Sequence, residues 1–305
     1  MRPAITAAAL LAVLAAAAPA RAQDDPQRVL ESLQQRIAAE PGATVGLYYR
    51  SLASPDSFAI GSDIRFHAAS TMKVAVMIQV FRDIDAGRLR LEERLPVVTA
   101  FRSIADGSTY EMDRANDRDS SLYALVGGTA PVPQLLELMI TISSNLATNV
   151  LIERVGAARV QATLRELGTD SMVVLRGVED GPAYRAGLNN TTTARDLAIL
   201  LAAIADGRAA GAASCGRMLQ ILLRQRINEA IPRGLPRGSR AAHKTGDLTG
   251  HYHDAAIVYT RRRPQYVLVV LTRGIARHEV ATRLIADLAG IIHRWHSVVL
   301  APRDQ

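Results

Sequence analysis

Hydrophobic residues change period twice along this chain, and that order of periods restricts the architectures open to it. Near the start, Val29, Leu30, Leu33 and Ile37 recur at the spacing of one helical face, which predicts an amphipathic helix over Pro26 to Glu40. From Thr44 to Leu52 the pattern becomes a two-residue alternation of Val45, Leu47 and Tyr49 against smaller or polar residues, a strand, with Ser57 to Ile60 as its hairpin partner. Helical spacing then returns from Ser70 through Met77, Ile78, Val80 and Phe81, with Gly87 as the stop. It recurs over Val132 to Met139, Asn145 to Arg154, Arg159 to Leu167, Thr193 to Ala205 and Ala209 to Arg224. Arg88 to Gly128 is polar and without period, and reads as loops and short helices. Strand character resumes over Arg240 to Thr245, Asp254 to Thr260 and Tyr266 to Thr272, before a long last helix from Glu279 to Val299.

Strands near both ends with helices between them predict an α/β chain of the α+β type: one antiparallel sheet assembled from both chain ends, flanking helices, and an all-helical second lobe. The expected division is a single catalytic domain over 23–305, with one lobe from 23–66 and 236–305 and a mostly helical lobe from 67–235. A chain of 305 residues is long enough to bury a core of that size. No repeat at fixed period is visible, which sets aside solenoids and propellers.

Composition narrows the function classes. Hydrophobic residues at 49% and charged residues at 21% describe a folded chain rather than a disordered one. The net charge of +7 does not imply nucleic-acid binding, because the cations are scattered and aromatics amount to only 4%. Cys215 stands alone, so it has no intramolecular disulfide partner and reads as a small buried hydrophobe. At the N-terminus a charged start, an apolar stretch from Ala4 to Ala18 and the Ala20-Arg21-Ala22 site describe a signal peptide over 1–22, too short for a membrane span. Cleavage after Ala22 predicts a secreted or periplasmic product, expected to act as a monomer.

The cations carry a sharper signal. Of 36 basic residues only Lys73 and Lys244 are lysines. Lys73 closes Ser70-Thr71-Met72-Lys73 at a predicted helix start, where the three-residue spacing puts hydroxyl and amine on one face. Lys244 opens Lys244-Thr245-Gly246 at the end of a predicted strand, where glycine leaves room for a substrate against the backbone. Between them, Ser143-Ser144-Asn145 offers a hydroxyl for proton relay and an amide for orienting a substrate. In so arginine-rich a chain, lysine at these two positions points to chemistry that arginine cannot do, since guanidinium does not give up its proton to act as a base.

These three elements, in this order, resemble the class A β-lactamase and penicillin-binding protein superfamily. The resemblance implies that Ser70 is the acylated nucleophile, Lys73 its base or relay, and Ser143 the proton donor to the leaving amine. It implies that Asn145 holds the substrate amide, that Lys244 and Thr245 hold its carboxylate, and that the backbone amides of Ser70 and Asp247 form the oxyanion hole. The substrate is then a β-lactam or a peptidoglycan-like fragment, with no cofactor and no metal.

Departures from the family pattern are equally specific. The middle element is Ser-Ser-Asn instead of Ser-Asp-Asn. Class A enzymes place the deacylating glutamate two residues after an arginine, with Leu-Asn shortly after; here Glu179 is three residues after Arg176, Asp180 follows it, and Leu188-Asn189 comes later. Asp247 sets a carboxylate beside the expected substrate carboxylate, which opposes binding unless a cation offsets it. His253 and Asp254 stand where many relatives keep an arginine, leaving Arg233 or Arg273 as substitutes. His243, His251 and His253 surround the same strand; without a third ligand of suitable spacing they read as polar residues lining or flanking the cleft rather than a metal site.

Overall fold

The computed structural model describes residues 26–260 and 263–299; the segment 1–22 read from the sequence as a signal peptide lies outside them. A five-stranded antiparallel sheet has the order Ser57–Ile60, Thr44–Ser51, Arg263–Arg273, His251–Thr260, Arg240–Leu248. The two N-terminal strands therefore pair with the three C-terminal ones through the register Thr44 to Arg273 and Ser51 to Tyr266, which joins the chain ends in one sheet.

Both faces of this sheet are covered, and its strands show it. Tyr266, Leu268 and Val270 pack on one side with Val29 and Leu33 of the helix Pro26–Ala38 and with Leu284, Ile285, Leu288 and Ile292 of the helix His278–Val299. Val267, Val269 and Leu271 face the opposite layer, because successive strand side chains point to opposite faces. A strand buried on both sides reads as an unbroken hydrophobic run, which is why Tyr266 to Leu271 carries no polar residue. Gly234, in the short helical turn Ile231–Gly234, lies so near the last helix that a Cβ there would collide with the Ala286 carbonyl oxygen.

The second layer is built around the helix Lys73–Asp85, which packs against Val132–Thr141, Asn145–Val155, Ala157–Glu166 and Ala212–Leu223, while Ala194–Ala205 lies against the sheet and Ala212–Leu223. Every residue from Lys73 to Phe81 is buried, so this helix is enclosed on all sides and serves as the axis of its layer. Each large aliphatic side chain buried there stabilises the fold by roughly 1.5–3 kcal/mol against exposure. Deep in it, Asp83 is neutralised by Arg88 at 2.7 Å and Arg159 at 3.1 Å and accepts a hydrogen bond from Gln79. Cys215 is buried on Ala212–Leu223.

Arg88 to Gly128 holds more extended structure than its sequence pattern predicts. Arg94–Pro96 pairs with Thr129–Pro131, and Ala100–Arg102 with Thr109–Glu111. Strands of three residues are too short to display a period of two. No described helix is long and apolar enough to cross a membrane.

Candidate active site

Ser70 lies in a single 3-10 turn, Ala69–Met72, that runs directly into the helix Lys73–Asp85. The turn is pinned by the Thr71 hydroxyl and amide, both donating to the Ala68 carbonyl, and by the Ala69 amide, which donates to His67 Nδ1 at 3.0 Å. That last bond needs an unprotonated Nδ1, and burial, reinforced by Arg176, holds the His67 pKa down at about 4. Ser70 opens onto a cleft of about 310 Å³ whose walls include His67, Asn145, Glu179, Tyr184 and Asp247.

Lys73 is fully buried. Its Nζ donates to the Ser143 carbonyl at 2.7 Å, Asn145 Oδ1 at 2.8 Å, Ser143 Oγ at 3.2 Å and the Ser144 carbonyl at 3.4 Å. Among the described residues no hydrogen bond joins it to Ser70: the one-face spacing holds, but the amine is taken up by acceptors of the Ser143-Ser144-Asn145 segment. Burial lowers its pKa from 10.5 to about 7, with Asp117 and Glu179 pulling upward and Arg118 downward.

Lys244 comes from the edge strand Arg240–Leu248 and is also fully buried. It donates to Ser143 Oγ at 3.0 Å and the Thr245 carbonyl at 2.9 Å. Burial, then the neighbouring Lys73 charge, holds its pKa well below that of a free lysine. The Ser143 hydroxyl thus sits between the only two lysines of the chain, on a residue with φ of 64°. Two amines sharing one oxygen oppose each other's protonation, so at neutral pH a proton on one favours neutrality of the other.

Asn145 extends the chain of contacts: its Nδ2 donates to Glu179 Oε1 at 2.6 Å. Glu179 is held with φ of 63°, and burial raises its pKa. Its loop is fixed by Asn149, which accepts from the Val178 amide at 2.7 Å and donates to the Val178 carbonyl at 3.0 Å. Gly177 is required there, since a Cβ would collide with Asn149 Oδ1. Arg176 closes the loop from behind, donating to the carbonyls of Gly177 and Leu188 and to Asn189 Oδ1. Asp180 is engaged elsewhere: it caps the turn Gly181–Arg185 and accepts from Ser103 Oγ at 2.7 Å and the Ile104 amide at 3.0 Å.

Two functional neighbours escaped the sequence. Asp117 accepts from the amides of Asn145 and Leu146 at 3.0 and 2.8 Å, placing a carboxylate on the positive end of the helix Asn145–Val155. It shares the capping of this helix with Ser144, whose hydroxyl accepts from the Ala147 amide at 3.2 Å. Arg118 donates to Asp247 Oδ2 at 2.7 Å and is the cation that offsets that carboxylate. Arg233 and Arg273 do not line the cleft; Arg273 lies over the Phe66 ring. No spacing in the sequence connects positions 117 and 118 to residues 28 or 129 places away.

The histidines are tied into the frame. His243 pairs with Asp254 at 2.8 Å and with Asn228 at 3.0 Å, while His253 Nε2 contacts the His67 carbonyl at 2.9 Å. Among the described residues no group of three potential metal ligands converges.

A model of the β-lactamase enzyme family matches residues 28–296. A β-lactamase of Streptomyces fradiae is 26% identical over 290 residues, spanning 93% of this chain and 92% of that one. The β-lactamase structure from Sphaerobacter thermophilus superposes with a TM-score of 0.76 at 29% identity, covering 91% of this chain and 100% of that one. PBP-A superposes with the same TM-score, 0.76, at 30% identity, covering 88% of this chain and 96% of that one, and a mutant of it is described as an acyl-enzyme complex with penicillin G. A match running from the first described helix into the last is a match of the whole fold, and the chain belongs to the β-lactamase enzyme family.

Proposed function

We propose that the protein is a serine β-lactamase that opens the β-lactam amide through an acyl-Ser70 intermediate. The observation that carries this reading is the buried Lys73 amine, brought to about 7 and in contact with Ser143 and Asn145 beside a serine that opens onto the cleft. A neutral amine there can take a proton at physiological pH, which a solvated lysine does poorly.

In the first step Ser70 Oγ bonds to the β-lactam carbonyl carbon and its proton passes to Lys73. The backbone amides of Ser70 and Asp247 take the oxyanion. The C–N bond then breaks, and the leaving nitrogen takes the Ser143 hydroxyl proton, which Lys73 replaces with the one it took from Ser70, while Lys244 holds the Ser143 oxygen. Asn145 orients the substrate amide and Lys244 and Thr245 bind the carboxylate; Gly246 does not leave room for substrate as its sequence context predicts, but lets the strand pack closely on Thr71 and His253, which a Cβ would crowd at 3.0 and 3.2 Å. In the second step Glu179 draws a proton from a water that attacks the acyl carbonyl; the bond from that carbon to Ser70 Oγ then breaks, and the proton Glu179 took passes to Ser70 Oγ, which restores the free enzyme. The raised Glu179 pKa suits a base of this kind, while Asp180 has both oxygens committed to other partners.

The offset of Glu179 favours a second reading, a penicillin-binding or peptidase-like enzyme that acylates and releases slowly. The position two after Arg176 is Val178, and Glu179 reaches the cleft only in a left-handed backbone conformation. Mixing the protein with a molar excess, on the order of twentyfold or more, of a chromogenic cephalosporin separates the two. Turnover well beyond one equivalent supports the β-lactamase; a burst near one equivalent that then stops supports the slow-release enzyme. The proposal includes export after cleavage at Ala22 and action as a monomer.

A further inference from the structure

Thr245 and Asp247 are two apart on the edge strand, so their side chains leave the same face. Asp247 therefore sets a carboxylate beside the Thr245 hydroxyl at the cleft mouth. Arg118 reaches across from the facing loop to Asp247 Oδ2 at 2.7 Å and borders one recess with Thr245, Gly246 and Asp247. On the other side, His278 Nε2 lies 4.0 Å from the same oxygen and 3.6 Å from Glu229. Arg118 also acts electrostatically on both buried lysines. A guanidinium and a threonine hydroxyl together make an anion-binding corner, and the anion next to it is the chain's own.

We propose that the Asp247 side chain stands in for the substrate carboxylate in the free enzyme, and that Arg118 is the specificity-determining cation that passes from Asp247 to the substrate. The proposal rests on the acyl-serine reading above. The bridge is made for exchange: its side chains are 47% and 38% exposed, and ion pairs in that setting hold only weakly. A substrate carboxylate arriving at Thr245 meets repulsion from Asp247 and attraction from Arg118. Removing the first charge removes the competitor. Removing the second leaves the competitor unpaired and the substrate without its fork of donors.

The test compares a cephalosporin carrying its free carboxylate with the methyl ester of the same compound, following the second-order rate of acylation as β-lactam ring opening by absorbance, with the protein in excess over the compound. This readout does not depend on release of the acyl group. In Asp247→Asn the acid-to-ester rate ratio is expected to rise about threefold or more. In Arg118→Gln it is expected to fall about tenfold. Equal changes for acid and ester would assign the bridge to holding the loop and would overturn the proposal, as would an unchanged ratio in both variants. Failure of the unsubstituted protein to be acylated by either compound would overturn the acyl-serine reading and this proposal with it.

Discussion

Burial of Lys73 sets the pH at which its amine becomes neutral. Its folded pKa of about 7 lies below the usual 10.5, so a native state at pH 6 holds a buried ammonium that the unfolded chain would hold in water. The unfolded state binds more protons between those values, and stability contributed through this group rises with pH across that window; its cost is complete below about 7. Reactivity follows the same titration: the acylation rate is expected to fall tenfold per pH unit below about 7, read as a limb in the pH profile of kcat/KM. Lys73→Arg keeps the charge and abolishes the limb together with nearly all acylation, because guanidinium does not deprotonate; normal turnover in that variant would remove Lys73 from proton transfer. Glu179→Gln is expected to leave acylation intact and slow release, so a covalent adduct accumulates by mass spectrometry; unchanged steady-state turnover would move the base elsewhere. The non-glycine residues with positive φ among those described are Ala69, Ser143 and Glu179, each at the site. Such backbone strain costs of order 1–3 kcal/mol, and no residue type at these positions announces it in the sequence.

At the scale of elements, the helix Asn145–Val155 depends on a partner the chain supplies from elsewhere. Asp117 binds its first amides and also pulls the Lys73 pKa upward. Asp117→Asn is therefore expected to destabilise the fold by about 1–3 kcal/mol, measured by urea unfolding, and to shift the acid limb of kcat/KM to lower pH. A stability loss with an unmoved limb would make Asp117 a cap only. The helix itself was legible because apolar spacing is local, as were the strand Ser57–Ile60 and the positions of both lysines. The loop that completes it was not, since contacts between residues 117 and 145, or 118 and 247, leave no periodic trace. The edge strand was read as ending at Thr245 but continues to Leu248, because the two-residue turn at Thr249-Gly250, with Gly250 at φ of 74°, returns the chain at once and keeps the ladder paired. That extension is what puts Asp247 in a rigid strand rather than a loop.

At the scale of the whole molecule, the cleft lies where two packed layers share one sheet. Ser70, Lys73, Ser143 and Asn145 belong to the helical layer, while Lys244 to Asp247 belong to the sheet edge, so the site exists only when both layers are docked. The shared sheet makes that docking part of folding. Val267, Val269 and Leu271 complete one core while Tyr266, Leu268 and Val270 complete the other, and neither core can be lost without exposing half of the same strand. We expect a single cooperative unfolding transition for the region 23–305, in spite of its two lobes. Trp295 is the only tryptophan and reports on the outer layer, packed edge-on against Tyr49 and Phe58, whereas far-UV circular dichroism is dominated by the helices of the other layer. Coincident midpoints of Trp295 fluorescence and circular dichroism in urea would establish the single unit. A tryptophan transition that precedes the loss of helix would show an outer layer able to peel away, and acylation should then be lost with the first transition, because Lys244 leaves Ser143 when the sheet does.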